Sequence, residues 1–447
     1  MRAMKWSHPI FACISAIALM LAAPLFLSAQ SRASEMTRAD VLARMQPYTG
    51  PSVKGVNTAT MTGKVLCGYQ GWFSTEGDGS ETGWRHYSRQ NRFEPGMCSI
   101  DFWPDMRELD TDERYATPFQ HTDGSTATVF SSYNQKTVVR HFQWMRDYSI
   151  DGVFVQRFAN PIGKSDLLYN RVNAVLSHCR AGANQYGRVY AVMYDLSGMS
   201  ENSMQVVMDD WKNLIDRMRI TKDAAYLHHN GKPVVAVWGI GFGDGRKYTL
   251  QECATLLDFL KSDPTYGGNT VMIGVPSGWR TLTRDSVDDP NLHEVIRKAD
   301  IISPWTVGRY GNPSKVTEYA EKYWQPDIAW CRQQGKEYLP VVFPGFSWSN
   351  LKPGRALNQI PRLQGRFLWK QYAETIGAGA SMVYQAMFDE IDEGTAIFKC
   401  TNDPPVGQSN FADYEGLPSD HYLKLVGTAT KMLRKEIPYT NTIPDMP

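Results

Sequence analysis

The chain has almost no surplus of charge: 47 Lys and Arg stand against 46 Asp and Glu, a formal net charge of +1. No basic stripe runs along it, which argues against nucleic acid as a partner. Its cysteines show no CxxC and no Cys/His spacing, so no metal site is implied. There is no GxGxxG after the first strand-like run, and no GxSxG or HExxH anywhere, which argues against dinucleotide binding, a serine-hydrolase elbow and a zinc protease. No cofactor is expected. Long apolar runs are absent after the first thirty or so residues, so no later segment is expected to span a membrane.

The beginning of the chain is different. Arg2 and Lys5 precede an almost wholly apolar stretch, Ile10 to Leu27, followed by the small residues Ser28, Ala29, Ser31 and Ala33. That order reads as a cleavable secretory signal, residues 1–33, and places the protein outside the cytoplasm, secreted or periplasmic. An uncleaved anchor has a similar apolar length; Pro24 and the small residues favour cleavage. Residues 34–63 read as a polar lead-in with one short helix, Arg38 to Met45. Six cysteines lie beyond the signal: Cys67, Cys98, Cys179, Cys253, Cys331 and Cys400. Export permits disulfides, but the spacing leaves pairing and buried free thiols equally open.

From residue 64 to 447 a rhythm of short apolar runs and helical segments sets in. Val65 to Tyr69, Gly152 to Gln156, Val189 to Tyr194, Val234 to Trp238, Val271 to Val275, Ile301 to Pro304, Leu339 to Phe343 and Met382 to Met387 read as eight buried strands. Segments long enough for helices separate them, such as Lys136 to Tyr148, Met204 to Met218 and Val316 to Cys331. Apolar strands alternating with helices predict a parallel sheet covered on both faces. Eight such units predict an α/β fold, a (β/α)8 barrel in a single domain. A long Gly- and Asp-rich loop after strand one holds Asp101 and Asp105 and is expected to overhang the cleft, with Val129-Phe130 as a possible accessory strand. A closing helix is expected at Tyr422 to Leu433.

Chemistry in such a barrel sits at the C-terminal ends of the strands. That rule nominates Tyr69, Gln70 and Trp72 after strand one, Arg157 after two, Tyr194 and Asp195 after three, Trp238 after four, Ser277 and Arg280 after five, Trp305 after six, and Phe346 and Trp348 after seven. His86, in the long first loop, is a further substrate contact or a satisfied loop histidine. His228 and His229 precede strand four, at the far end, and read as structural. Aromatics reach 12% of the chain, with 13 Trp and 22 Tyr; rings with polar tips suit sugar faces, and equally fill a large core.

Strand eight runs into Phe388-Asp389-Glu390-Ile391-Asp392-Glu393-Gly394-Thr395. Four carboxylates in five residues repel, so at least one must be held neutral near pH 7. Glycoside hydrolysis uses such a pair, one carboxyl to protonate the leaving oxygen and another as nucleophile or base. Glu390 and Glu393 share a face only if the segment turns helically. A divalent-cation site and a solvated acidic loop use the same residue types, although no calcium-loop pattern is present.

The segment from Phe388 to Thr395 resembles the F-N-E-W-x-E-G-T stretch of glycoside hydrolase family 99, the endo-α-mannosidases and endo-α-mannanases, and is similar to the related family 71. Gly68-Tyr69-Gln70-Gly71-Trp72-Phe73, His141-Phe142-Gln143-Trp144-Met145 leading to Ile150-Asp151-Gly152-Val153, and Gly231-Lys232-Pro233-Val234-Val235 fit the same group. The resemblance implies a barrel without metal that cleaves α-linked oligo- or polysaccharides with retention. It implies that Glu390 acts as base on the sugar 2-hydroxyl and Glu393 as acid and then base. Asp389 stands where the family has Asn, and Ile391 where it has Trp, so the sugar itself is not implied. A carbohydrate-binding protein on a disused barrel is the alternative, since fold does not fix function.

Overall fold

The computed structural model describes residues 36–446; the expected secretory segment lies outside them. Among the described residues no helix is long and apolar enough to cross a membrane.

Eight parallel strands form the barrel wall: β1 (Val65–Tyr69), β2 (Gly152–Phe158), β3 (Val189–Asp195), β4 (Lys232–Trp238), β5 (Thr270–Val275), β6 (Ile301–Pro304), β7 (Glu337–Tyr338 and Val341–Val342) and β8 (Val383–Gln385). Each pairs with its neighbour in chain order, and β1 pairs with β8. Strand β7 closes the ring in two halves. Glu337–Tyr338 pair with β6, Val341–Val342 pair with β8, and Pro340, which has no N–H to give, sits at the break. β1, β3 and β5 are buried at every position, as strands enclosed by helices outside and packed side chains inside must be.

A helix follows every strand, each started by local chemistry where the sequence supplies it. Asn134 accepts the first free N–H groups of Gln135–Asp147, Ser165 caps Asp166–Tyr186, and Thr249 with Glu252 makes a capping box for Leu250–Ser262. The closing helix is His421–Leu433. The helix after β6 is continuous from Pro313 to Gln333 through a π-turn at Ala320–Trp324.

The long first loop carries a two-stranded hairpin, Tyr115–Gln120 with Thr126–Val129, so the accessory strand expected at Val129 is half of a pair. The loop is joined to the segment after β8 through the bridges Phe102 to Ala412, Pro104 to Cys400 and Gln120 to Val406. Together they form a cap over the C-terminal rim of the barrel. All six cysteines of the described residues are buried free thiols.

Candidate active site

The end of β8 is stitched to the end of β1. Phe388 N–H donates to the Gly68 carbonyl at 2.8 Å, and Gly68 has no space for a side chain: a Cβ there would lie 2.1 Å from the Tyr384 hydroxyl and 2.4 Å from the Met387 sulfur. Beyond Phe388 the chain turns tightly. Thr395 and Ala396 N–H groups return to the Glu390 carbonyl at 3.1 and 3.0 Å. Gly394 closes the turn at φ +67°, where a Cβ would come within 2.8 Å of the Ser347 nitrogen. The segment is therefore a turn and not an extended strand, the condition under which residues three apart can share a face.

Neighbouring loops hold the turn in place. Asp101, fully buried, donates its N–H to the Ile391 carbonyl, and its carboxylate accepts the Ser347 hydroxyl at 2.5 Å and the Ser349 and Asn350 N–H groups at 2.7 Å. Ser347 N–H in turn donates to the Glu393 carbonyl. Arg362 donates to the Gly394 and Ala396 carbonyls from between the rings of Phe102, Tyr414 and Tyr422. The first loop thus braces the acidic turn.

The four carboxylates have unequal surroundings. Asp389 accepts the N–H groups of Gln70 and Gly71, one on each oxygen, both at 2.8 Å. Burial pushes it up to about 7 against those two donors. Glu390 accepts Gln70 Nε2 at 2.5 Å and the Thr395 hydroxyl. It is held well above the usual carboxylate range by burial, then by Glu393 and Asp392. Glu393 is partly open to solvent. Burial and Asp392 push it up to about 8, while the Trp348 indole and Lys352 pull the other way. Asp392 is 2% exposed and bonded to His86 Nδ1 at 3.1 Å.

The sequence candidates divide. Gln70, Trp72, His86 and Asp389 gather around the acidic turn. Trp72 lies flat on His86, ring centres 3.8 Å apart and 4° from parallel, and stacks on Phe158 at 5.4 Å. Trp348 is half-buried against Phe346, with Lys352 over its ring. Trp238 and Trp305 meet edge to face at 5.6 Å over the ends of β4 and β6, with Arg246 above Trp238. Asp195 caps its own loop, accepting Ser197 N–H at 2.7 Å.

Five candidates are engaged elsewhere. Tyr69 is fully buried, its hydroxyl 2.9 Å from His141 Nδ1 on the helix Gln135–Asp147. Tyr194 is fully buried too and donates to Asp210 at 2.6 Å. Alternation along a strand sends these side chains outward to the helices while their neighbours face the barrel interior. Arg157 is lost to the same layer, paired with Asp210 at 2.5 Å. Arg280 is taken by Asp327 and Ser277 by Asp285. His229, as expected, is structural, bonded to Glu337 at 2.6 Å.

Gln156 and Tyr384 were missed. Gln156 donates to the Tyr384 hydroxyl at 3.0 Å, its own carbonyl oxygen is buried without a partner, and the Tyr384 hydroxyl lies near enough to Glu390 to feel its charge. A polar residue amid the apolar run of β2 was the available signal.

A parallel barrel carrying carboxyl groups of unequal environment on the loop after its eighth strand, with aromatic pairs around the rim, is an arrangement that glycoside hydrolysis can use. The sequence profile of glycosyl hydrolase family 99 matches residues 310–435, which contain the acidic turn. Two structures of a family 99 endo-α-mannosidase from Bacteroides thetaiotaomicron superpose with TM-scores of 0.61 and 0.59 at 15% and 16% identity, each over 84% of this chain and 99% of the other. A glycoside hydrolase-like protein superposes with a TM-score of 0.50 at 12% identity, over 74% of this chain and 94% of its own. No curated protein sequence matches. Residues 310–435 thus match the family 99 profile, and the chain shares the fold of the family 99 structures.

Proposed function

We propose that the protein is an exported glycoside hydrolase that cleaves α-linked glycans with retention, Glu390 serving as base toward the sugar 2-hydroxyl and Glu393 as acid and then base. The observation that carries this reading is the unequal pair on one turn. Glu393 is partly open and pushed up to about 8, a value that keeps it protonated and able to give a proton at neutral pH; Glu390 is raised by burial as well, and its base role rests on the Gln70 and Thr395 donors, which favour its carboxylate form. The name of the Bacteroides structures makes α-mannosides the first substrates to try. Asp389 supports the same chemistry by tying the turn to β1.

The test is a product screen on α-linked mannans and glucans, with product anomers followed by proton NMR and Glu393→Gln as control. Reducing sugar of retained configuration, lost in both Glu390→Gln and Glu393→Gln, is the expected result. A wild-type protein that releases no sugar from any of them sinks the hydrolase reading. Tight binding without turnover, indifferent to both Glu changes, assigns a carbohydrate-binding role instead. N-terminal sequencing of the exported protein tests the leader, which should be gone.

A further inference from the structure

Asp392 and His86 are bonded to each other, and the proposed chemistry uses neither. His86 stands in the left-handed region at φ +60°, a conformation that a residue other than glycine keeps only where its surroundings enforce it. Three contacts do so: the flat stack on Trp72 at 3.8 Å, the Ser99 hydroxyl donating to its carbonyl at 2.5 Å, and the Nδ1 contact with Asp392 at 3.1 Å. Its Nε2 makes no hydrogen bond with the described residues, and 31% of the side chain is open to solvent.

Asp392 contrasts with Asp389, three residues earlier on the same turn. Asp389 receives two backbone N–H donors. Asp392 receives none at hydrogen-bond distance, and its Oδ1 is buried without a partner. A buried carboxylate with neither donors nor a cation is costly, and this one also lies beside Glu390, Glu393 and Asp101.

We propose that Asp392 is a neutral carboxylic acid whose O–H donates to His86 Nδ1, fixing the imidazole as its Nε2–H tautomer and presenting that N–H to an oxygen of the bound sugar, in a subsite walled by Trp72. His86 is then a substrate-binding donor and Asp392 the residue that positions its proton. The directions of titration agree. Burial, with Asp101, holds Asp392 well above the usual carboxylate range; its own N–H and the Trp72 indole, near but not bonded to it, pull the other way. Burial, then Arg85 and Arg171, holds His86 well below its ordinary value. Each direction favours the neutral form, so an ion pair is disfavoured from either side.

The sugar in this proposal rests on the hydrolase reading, but the tautomer does not. Two-bond proton–nitrogen NMR on the full chain with ¹⁵N-labelled histidine reads it in the resting protein. The signals of His86, among nine histidines, are identified by their loss in His86→Gln. Protonated Nε2 and bare Nδ1 are expected; a proton on Nδ1 overturns the dyad whatever the activity. In turnover, His86→Phe keeps a ring on Trp72 and removes the donor, so KM should rise by roughly 2- to 12-fold, the value of one hydrogen bond, with kcat little changed. Asp392→Ala should raise KM similarly, and Asp392→Asn, whose amide N–H can also donate to Nδ1, should recover most of the loss. An Asn variant as poor as the Ala variant shows that a charged carboxylate is needed and overturns the proposal. Should the wild type turn over no glycan, the hydrolase reading falls while the NMR result still decides the dyad.

Discussion

The two ends of the barrel treat buried charge in opposite ways. At the N-terminal end, acids are paired and tie down strand starts. Asp151 accepts Val65 N–H at the start of β1 and the Arg434 guanidinium. Asp300 accepts Val271 N–H and Lys261 Nζ at the start of β5, and Glu337 on β7 meets His229 beside β4. In the wall, Arg157 and Asp210 pair with almost no exposure. At the C-terminal end, Glu390, Asp392 and Glu393 crowd together without a lysine or arginine in salt-bridge contact among the described residues. The first arrangement answers the demand of stability, that a buried charge be matched. The second leaves carboxyl groups near the point of protonation, which is what proton transfer requires.

The largest effects separate these roles. Asp210→Ala leaves the Arg157 guanidinium buried and unmatched, and should cost about 3–5 kcal/mol of stability, read by urea or thermal unfolding. Glu393→Gln should do the reverse. Turnover should fall by about 10²- to 10⁴-fold, as for a lost general acid, while the melting temperature holds, because a partly exposed carboxyl already protonated near pH 7 gives way to an amide of the same shape. If both variants lose stability alike, the two ends are not functionally distinct.

Much of this was readable from the chain, for physical reasons. Eight apolar runs spaced by helical segments define a barrel because burial on both faces leaves a strand few polar positions. The acidic turn was visible because four acids after such a strand have no structural excuse. Which rim residues point inward was not visible. Tyr69 and Tyr194 sit beside Gln70 and Asp195 in sequence but face the helices, and a shift of one residue in where a strand ends reverses that assignment. The Asp392–His86 bond spans 306 residues, a closeness made by the folding of the first loop over the barrel, which no local pattern encodes.

Asp389 is the useful intermediate, an active-end acid supplied with donors in the manner of the opposite end. Asp389→Asn restores the residue type of family 99 yet can accept only one of the two N–H groups, and sets its own N–H₂ against the other. The cost should be about 1–3 kcal/mol, that of one buried donor left unpaired, with a smaller loss of turnover as Gln70 shifts on Glu390. Chemical denaturation of the pair checks it. A variant as stable as the wild type would show that the two N–H bonds need no charge to hold them.

The pH dependence gives the smallest effect per step and the clearest sign. Glu393 in the folded protein is pushed from an ordinary 4.5 to about 8, so the folded state holds a proton that the unfolded chain has released. Between those values stability must fall as pH rises: the contribution of Glu393 is complete below about 4.5 and is lost as pH passes 8. Glu390 and Asp392, also raised, act in the same direction. Turnover that needs Glu393 protonated should decline above pH 8, by about tenfold per unit. Unfolding free energy measured from pH 5 to 9 should therefore slope downward in the wild type and more gently in Glu393→Gln. A slope in Glu393→Gln as steep as that of the wild type would mean that the surroundings do not hold a proton on the active-end carboxyl, and would remove the physical basis for assigning it the acid.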